Sequence, residues 1–108
     1  MTDHHHGGAD LFEAIAILEN ADEAKRFFTD LCTPREIELF KERYAVCQLL
    51  YSGAFSYRAI SKMTGASTTT ILRVAKFLND EPYKGYISIL EKIQKGGEKG
   101  NVEENNCS

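Results

Sequence analysis

The sequence predicts an all-α fold, and three observations support this prediction. Apolar residues recur at intervals of three and four, which is the spacing of one helix face. Capping combinations such as Thr33-Pro34-Arg35-Glu36 precede such stretches. Alternating apolar patterns and strand-like runs of β-branched apolar residues are absent from the sequence. With 108 residues and 43% hydrophobic content, the chain is long enough for one helical domain.

Four of the six predicted helices flank a central pair. They cover about 9–18, 20–31, 33–51 and 83–94. Capping pairs mark two of their starts, because Glu23 follows Asn20 and Glu36 follows Thr33 at the spacing of a capping box. Gly53 is expected to end the third helix.

The two ends of the chain are predicted to be disordered tails, at 1–8 and 96–108, around one domain at 9–95. The first tail holds His4, His5 and His6 beside two glycines. Three histidines could bind a metal, but they have no Cys or carboxylate partner at helical spacing, which favours a tail or a tag remnant. The second tail combines glycines with polar residues. No metal site is predicted.

Composition argues against several classes of protein. No apolar run approaches the length of a membrane span and no signal peptide is recognisable, so we expect a soluble, cytoplasmic protein without a membrane partner. Cys32, Cys47 and Cys107 are odd in number and lack metal-ligand spacing, which favours reduced thiols. The predicted domain has no His, no Gly-rich phosphate loop and no Cys–His pair, so we do not expect an enzyme.

The central pair of helices, at about 56–78, predicts a helix-turn-helix. Ser56 is placed to cap the first helix and Ser67 the second. Gly65 lies where the chain must reverse, a position that often needs a positive φ. The predicted buried positions of the pair are Ala59, Ile60, Met63, Ile71, Val74, Phe77 and Leu78.

Charge is unevenly distributed along the chain. The whole chain has a net charge of −3, but Asp10–Asp30 carries a net −4 and Thr33–Leu78 a net +4. Between Ser56 and Leu78 there are four basic residues and no acid. A basic helix-turn-helix suits a phosphate backbone, and hydroxyl groups at the start of its second helix can bond to base edges. The alternative is an ordinary helical hairpin whose basic side chains are solvated.

The chain resembles the Trp repressor family, and more closely its TrpR-related YerC/YecD-type branch, over about Leu11 to Ile93. The resemblance is carried by the run CTPREIELFKERYAVCQLLYSGAFSYRAISKMTGASTTTILRVAKFL. Its shared elements are a Thr-Pro helix start, Leu-Leu-x-x-Gly, Ser-x-Arg, Gly-Ala-Ser at the turn and Thr-Ile-x-Arg. The family implies an intertwined all-helical homodimer that acts as a repressor-like transcription regulator. A partner subunit would also cover the apolar faces of the first two helices and the last.

The resemblance places DNA contacts on Arg58 and on the residues around the turn. Lys62 and Lys76 are added from charge and helical face, as phosphate contacts. The predicted DNA-binding set is Arg58, Lys62, Ser67, Thr68, Thr69, Thr70, Arg73 and Lys76. The alternative function is a dimeric helical protein-interaction module that no longer reads DNA.

The resemblance also implies a co-repressor pocket. Arg43 and Arg73 match the two arginines that sandwich the indole of tryptophan in the family, and Thr33 matches a residue near the ligand. Val74 and Phe77 stand where the family has a glycine and a serine. Val74 would fill the space of a flat ring, and Phe77 cannot accept a hydrogen bond from the ligand's ammonium group. We therefore expect that tryptophan is not the co-repressor.

Two interpretations of Arg43 and Arg73 stay open. In the first, Arg43 pairs with Glu36, Glu42 or an acid of a partner subunit, and Arg73 reaches the DNA backbone. In the second, the two arginines hold an unidentified co-repressor that is planar or anionic. No other cofactor is expected.

Overall fold

All regular structure in the described part of the chain is helical. In a computed structural model, the described residues are 8–80 and 82–107, with side chains described as far as residue 96. The helices are α1 Leu11–Ala16, α2 Ala21–Leu31, α3 Pro34–Ser52, α4 Tyr57–Thr64, α5 Thr68–Asn79 and α6 Gly85–Cys107. This confirms the predicted all-α fold with six helices. The histidine cluster at 4–6 lies outside the described residues.

Side-chain caps start the first three helices. The Asp10 carboxylate accepts a hydrogen bond from the N–H of Glu13, and the Glu13 carboxylate accepts one from the N–H of Asp10, both at 2.9 Å. Thr33 and Glu36 form the same reciprocal box at the start of α3, as predicted. At α2 the Asn20 side chain accepts from the N–H of Glu23, but the Glu23 carboxylate accepts from Glu19 instead of Asn20. The predicted capping box at Asn20 is therefore only half formed.

Contacts within the chain group it into two compact units, Met1–Glu38 and Leu39–Ser108. The sequence, in contrast, predicts a single domain. The described part of the first unit holds α1, α2 and the start of α3. Neither α1 nor α2 has a fully buried side chain. Phe27 and Phe28 form an edge-to-face pair with ring centroids 5.6 Å apart. Phe12 and Ile17 are 76% and 74% exposed, so much apolar surface of this unit is open.

The second unit has a core shared by four helices. Its buried members are Val46, Cys47, Ile60, Ala66, Ile71, Val74, Leu78 and Leu90. This core fixes α5 through one face. The prediction that Met63 is buried is wrong, because its side chain is 56% exposed. The inner edge of α4 runs instead from Ile60 to the partly buried Thr64, one turn later. Phe77 is half-buried, less than predicted.

The last helix differs from its prediction at both ends. It begins at Gly85 instead of Tyr83, after Lys84, which has a left-handed φ of 56°. Its backbone is helical to Cys107, whereas the sequence predicts an end at Gln94 and a disordered tail from residue 96. Glycine costs about 1 kcal/mol in a helix relative to alanine, but it does not forbid helical backbone angles. Among the described residues, no helix combines the length and apolar character that a bilayer crossing requires.

Candidate nucleic-acid interface

The turn between α4 and α5 is held by side-chain hydrogen bonds. Gly65 has a φ of 81°, the left-handed conformation predicted for it. The Thr64 hydroxyl donates to the carbonyl of Ile60 at 2.8 Å and accepts from the N–H of Ala66 at 3.1 Å. The Ser61 hydroxyl donates to the carbonyl of Ala66 at 2.8 Å. The sequence interpretation missed these two hydroxyl groups, since each one bonds across a turn whose path the sequence does not show.

Both predicted serine caps of the pair are confirmed. The Ser56 hydroxyl accepts from the N–H of Ala59 at 3.1 Å, and the Ser67 hydroxyl accepts from the N–H of Thr70 at 3.1 Å. The Ser67 hydroxyl also donates to the Thr70 hydroxyl at 3.2 Å. Two of the four predicted hydroxyl contacts to DNA are thus already used to start α5.

Thr68 and Thr69 are the first two residues of α5 and face solvent. Both side chains are exposed. In the described part of the chain, neither their hydroxyl groups nor their N–H groups make a hydrogen bond. The first N–H groups of a helix have no partner within the helix and favour an acceptor or an anion in front of them. The start of α5 therefore offers two hydroxyl groups and two backbone donors.

The two faces of α5 differ completely in burial. On the inner face, Ile71, Val74, Ala75 and Leu78 are between 1% and 7% exposed. The outer face consists of exposed side chains, as the helical spacing predicts: Thr68, Thr69, Leu72, Arg73 and Lys76. The helix is anchored along its whole length, and the backbone positions of its outer residues are therefore fixed relative to one another.

A basic groove joins the two helices of the pair. It has a volume of about 560 Å³ and is lined by Tyr57, Arg58, Ser61, Lys62 and Thr68. The structure thus brings together Arg58 and Lys62 of α4 with Thr68 of α5. Arg73 and Lys76 follow on the exposed side of α5. None of the described side chains that line this groove is acidic.

A second open groove, of about 310 Å³, contains both predicted pocket arginines. It is lined by Arg43, Arg73, Phe77, Tyr83, Lys84, Gly85 and Tyr86. The guanidinium of Arg73 lies over the Phe77 ring, with its carbon 4.8 Å from the ring centroid, a cation–π contact. Thr33 is not part of this lining; it caps α3 in the first unit. The last four residues of the lining were missed by the sequence interpretation, because they follow the break after α5 and reach Arg73 only through the tertiary fold.

The electrostatics of this second groove are those of a positive site. Among the described residues that line it, three are basic and none is acidic. Among the described residues, Arg43 forms no ion pair with Glu42. Its pairing with an acid of a partner subunit stays a prediction. Burial raises the pKa of Tyr86, and nearby Cys47 raises it further, while Arg43 and Arg73 act in the opposite direction.

The thiol of Cys47 is placed for packing. The side chain has no exposed surface, and burial raises its pKa from 9.0 to about 11. A thiol nucleophile needs the opposite shift. The side chain of Cys32 is only partly buried. Among the described residues, no three His, Cys, Asp or Glu side chains are grouped closely enough to hold a metal ion.

Known proteins resemble this chain in sequence, and some of them in fold. The family model of the Trp repressor protein matches residues 8–94. YerC, an uncharacterized protein of Bacillus subtilis (strain 168), is 45% identical over 69 residues, which are 64% of this chain and 65% of YerC. The crystal structure of a TrpR-like protein from Eubacterium eligens ATCC 27750 has 40% identity and a TM-score of 0.72, over 78% of this chain and 84% of that chain.

The family is one of DNA-binding regulators and is not an enzyme family, which agrees with the expectation from the sequence. With a matching family model over 8–94 and the described helix order, the chain belongs to the Trp repressor family.

Proposed function

We propose that this chain is a sequence-specific, repressor-like transcription regulator, which reads double-stranded DNA as a homodimer in the cytoplasm. Residues 9–95 form the proposed DNA-binding domain. The observation that supports it most directly is the outer face of α5. Thr68 and Thr69 present hydroxyl and N–H groups at the start of a helix whose opposite face is fully buried. Such a helix can enter a major groove without exposing core.

Charge supports the same function. Arg58, Lys62, Arg73 and Lys76 are all exposed, and no acid occurs between Ser56 and Leu78. Basic side chains on both helices can neutralise phosphates on either side of the groove that α5 enters. Phosphate contacts orient the protein, and the hydroxyl groups of Thr68 and Thr69 then reach base edges. The protein is acidic overall, so this charged face also directs which side of the molecule meets DNA.

The exposed apolar surface of the first unit supports a homodimer. Helices α1 and α2 bury no side chain fully, and large side chains such as Phe12 and Ile17 are open. Exposed apolar surface of this kind is typical of an interface. A second copy related by two-fold symmetry would cover it and would present a second α5 to the next half-site.

Tryptophan is not the co-repressor in this proposal. Val74 is 1% exposed and belongs to the core. Its side chain therefore fills the space that the glycine of the family leaves for the ligand's flat ring. Phe77 replaces the serine that binds the ligand's amino group, and its ring lies under the Arg73 guanidinium. A buried ammonium without an acceptor would lose affinity. We assign Arg73 to the DNA backbone, where its exposed position suits a phosphate.

Selection of bound sequences from random double-stranded DNA, with the purified full chain at a stated salt concentration, tests the proposal. We expect a two-fold symmetric site whose half-sites are one helical turn apart. Replacing Arg58 by alanine should weaken binding to all sequences and reduce the salt dependence by about one phosphate. Replacing Thr69 by alanine should change the preferred base.

The matched control for Arg58→Ala is Arg35→Ala, since Arg35 is an exposed arginine outside the helix-turn-helix. The matched control for Thr69→Ala is Thr29→Ala, an exposed threonine of α2. Both controls should bind as the unchanged chain does. If Arg58→Ala and Thr69→Ala also bind unchanged, the DNA-reading proposal is wrong and the protein-interaction module replaces it.

A further inference from the structure

Leu72 is the one apolar side chain on the outer face of α5. It is 53% exposed and lies between the helix start at Thr68 and Thr69 and the basic pair Arg73 and Lys76. The core of this unit does not need it, because the inner face of α5 is filled by other residues. A single exposed leucine is common on protein surfaces. This leucine stands out because every other member of the same face is polar or charged.

The helical position of Leu72 sets what it would meet on DNA. It follows Thr69 by three residues and Thr68 by four, so all three side chains lie on one side of the helix. At 1.5 Å rise per residue, Leu72 is about 4.5 Å further along the helix axis than Thr69. Neighbouring base pairs are about 3.4 Å apart. A base adjacent to the one that meets the threonines is therefore within reach of Leu72.

The chemistry of leucine restricts which base group it could recognise. An isobutyl side chain neither donates nor accepts hydrogen bonds, so it cannot read the polar groups of a base edge. In the major groove, the apolar group that a standard base presents is the C5-methyl of thymine. Polar base edges in front of Leu72 would lose water without gaining a partner. The basic surroundings direct this leucine to DNA instead of to an apolar protein surface.

We propose that Leu72 is a specificity-determining residue, which selects thymine by contact with its C5-methyl group, next to the base pair read by Thr68 and Thr69. This rests on the proposed function and names a base that it would prefer. One fixed position in each half-site would then be thymine. Cytosine methylated at C5 would be the best substitute there, because it presents the same methyl group.

The test compares thymine with uracil in the selected DNA site, because uracil lacks only the methyl group. Each conserved thymine is replaced in turn, and affinity for the full chain is measured at constant salt. One position should lose about fourfold in affinity, the loss expected for one buried methyl. The variant Leu72→Ala should bind thymine and uracil equally at that position, and Leu72→Met should keep part of the preference.

The matched control is Phe40→Ala, because Phe40 is 44% exposed on α3, outside both the helix-turn-helix and the helices whose apolar faces are assigned to the partner subunit. Its thymine-to-uracil ratio should equal that of the unchanged chain. If the selected site has no fixed thymine, or if no replacement by uracil weakens binding, the role of Leu72 is overturned while DNA reading stands. An unchanged ratio in Leu72→Ala overturns it as well. If no DNA sequence is enriched at all, the proposed function fails first, and this inference fails with it.

Discussion

At the scale of single residues, the structure separates hydroxyl groups that build the helix-turn-helix from those that can contact DNA. The sequence interpretation assigns DNA contacts to all four hydroxyl residues around the turn, Ser67, Thr68, Thr69 and Thr70. In the structure, Ser67 and Thr70 bond to each other and cap α5, while Thr68 and Thr69 face solvent. The sequence predicts the cap, because capping is a local property. It could not show that Thr70 takes part in it, since that depends on the rotamers of two side chains.

The hydrogen bond that caps α5 at Ser67 should contribute to the stability of the folded protein. We expect Ser67→Ala to lower the free energy of unfolding by about 1 kcal/mol, because the N–H of Thr70 loses its acceptor. Urea unfolding followed by circular dichroism measures this. Thr68→Ala is the matched control, because the Thr68 side chain makes no hydrogen bond in the described structure, and it should leave the midpoint nearly unchanged. Equal midpoints for the two variants would contradict the assigned cap.

The buried thiol of Cys47 predicts a pH dependence. Its folded pKa of about 11 lies above the ordinary value of 9.0, so the folded state holds the proton more tightly than the unfolded state. The corresponding stability is fully present below pH 9 and is lost as the pH rises toward 11. Urea unfolding between pH 8 and pH 11 should therefore show a steeper loss for the unchanged chain than for Cys47→Ala. If the stability of the two proteins falls equally steeply with pH, Cys47 does not cause the pH dependence.

At the scale of elements, helix starts that carry a recognisable capping residue are predicted better than helix ends. Ser56, Ser67 and Thr33 start their helices as their sequence signals indicate, because the capping partner is three residues away. The end of α6 was not predicted, because three glycines after Gln94 indicate a stop, although each can adopt helical angles. The wrong prediction that Met63 is buried has a similar cause. A helix of eight residues has too few turns for the spacing of its apolar residues alone to define its inner edge.

The turn between α4 and α5 depends on one backbone conformation. Gly65→Ala should destabilise the protein by about 1 kcal/mol or more, because the φ of 81° is costly for a residue with a Cβ. A steric clash does not add to this loss of stability, since a Cβ at Gly65 would meet no atom within 4 Å. Gly85→Ala is the matched control, because its surroundings are equally open and its φ is not positive. Thermal unfolding should separate the two variants; a common midpoint would show that the turn tolerates alanine.

At the scale of the whole molecule, the sequence reveals the family and the reading helix, but not the second groove. The basic block is continuous in sequence, so its presence on α4 and α5 could be predicted. Arg43 and Arg73 were paired through the family resemblance. Their neighbours Tyr83, Lys84 and Tyr86 required the path of the chain after α5, and that path contains a left-handed residue that no sequence signal marks.

The proposed homodimer is also tested at this scale. Light scattering during gel filtration should give twice the mass of one chain at micromolar concentration. Phe12→Asp should shift the protein toward the monomer, because Phe12 is a large apolar side chain that is 76% exposed in α1. Tyr83→Asp is the control, since Tyr83 is 84% exposed in the other unit. A monomer for the unchanged chain, or equal effects of the two substitutions, would contradict a dimer formed through α1.

The separation of the two faces of α5 has a consequence for descent with modification. Substitutions on its outer side, at Thr68, Thr69 or Leu72, leave the side chains of the core untouched. A duplicated gene could therefore acquire a new operator through a few outward changes, without first losing a folded product. In this architecture, the capacity to fold and the choice of target can be inherited and altered separately, although a single helix of twelve residues encodes both.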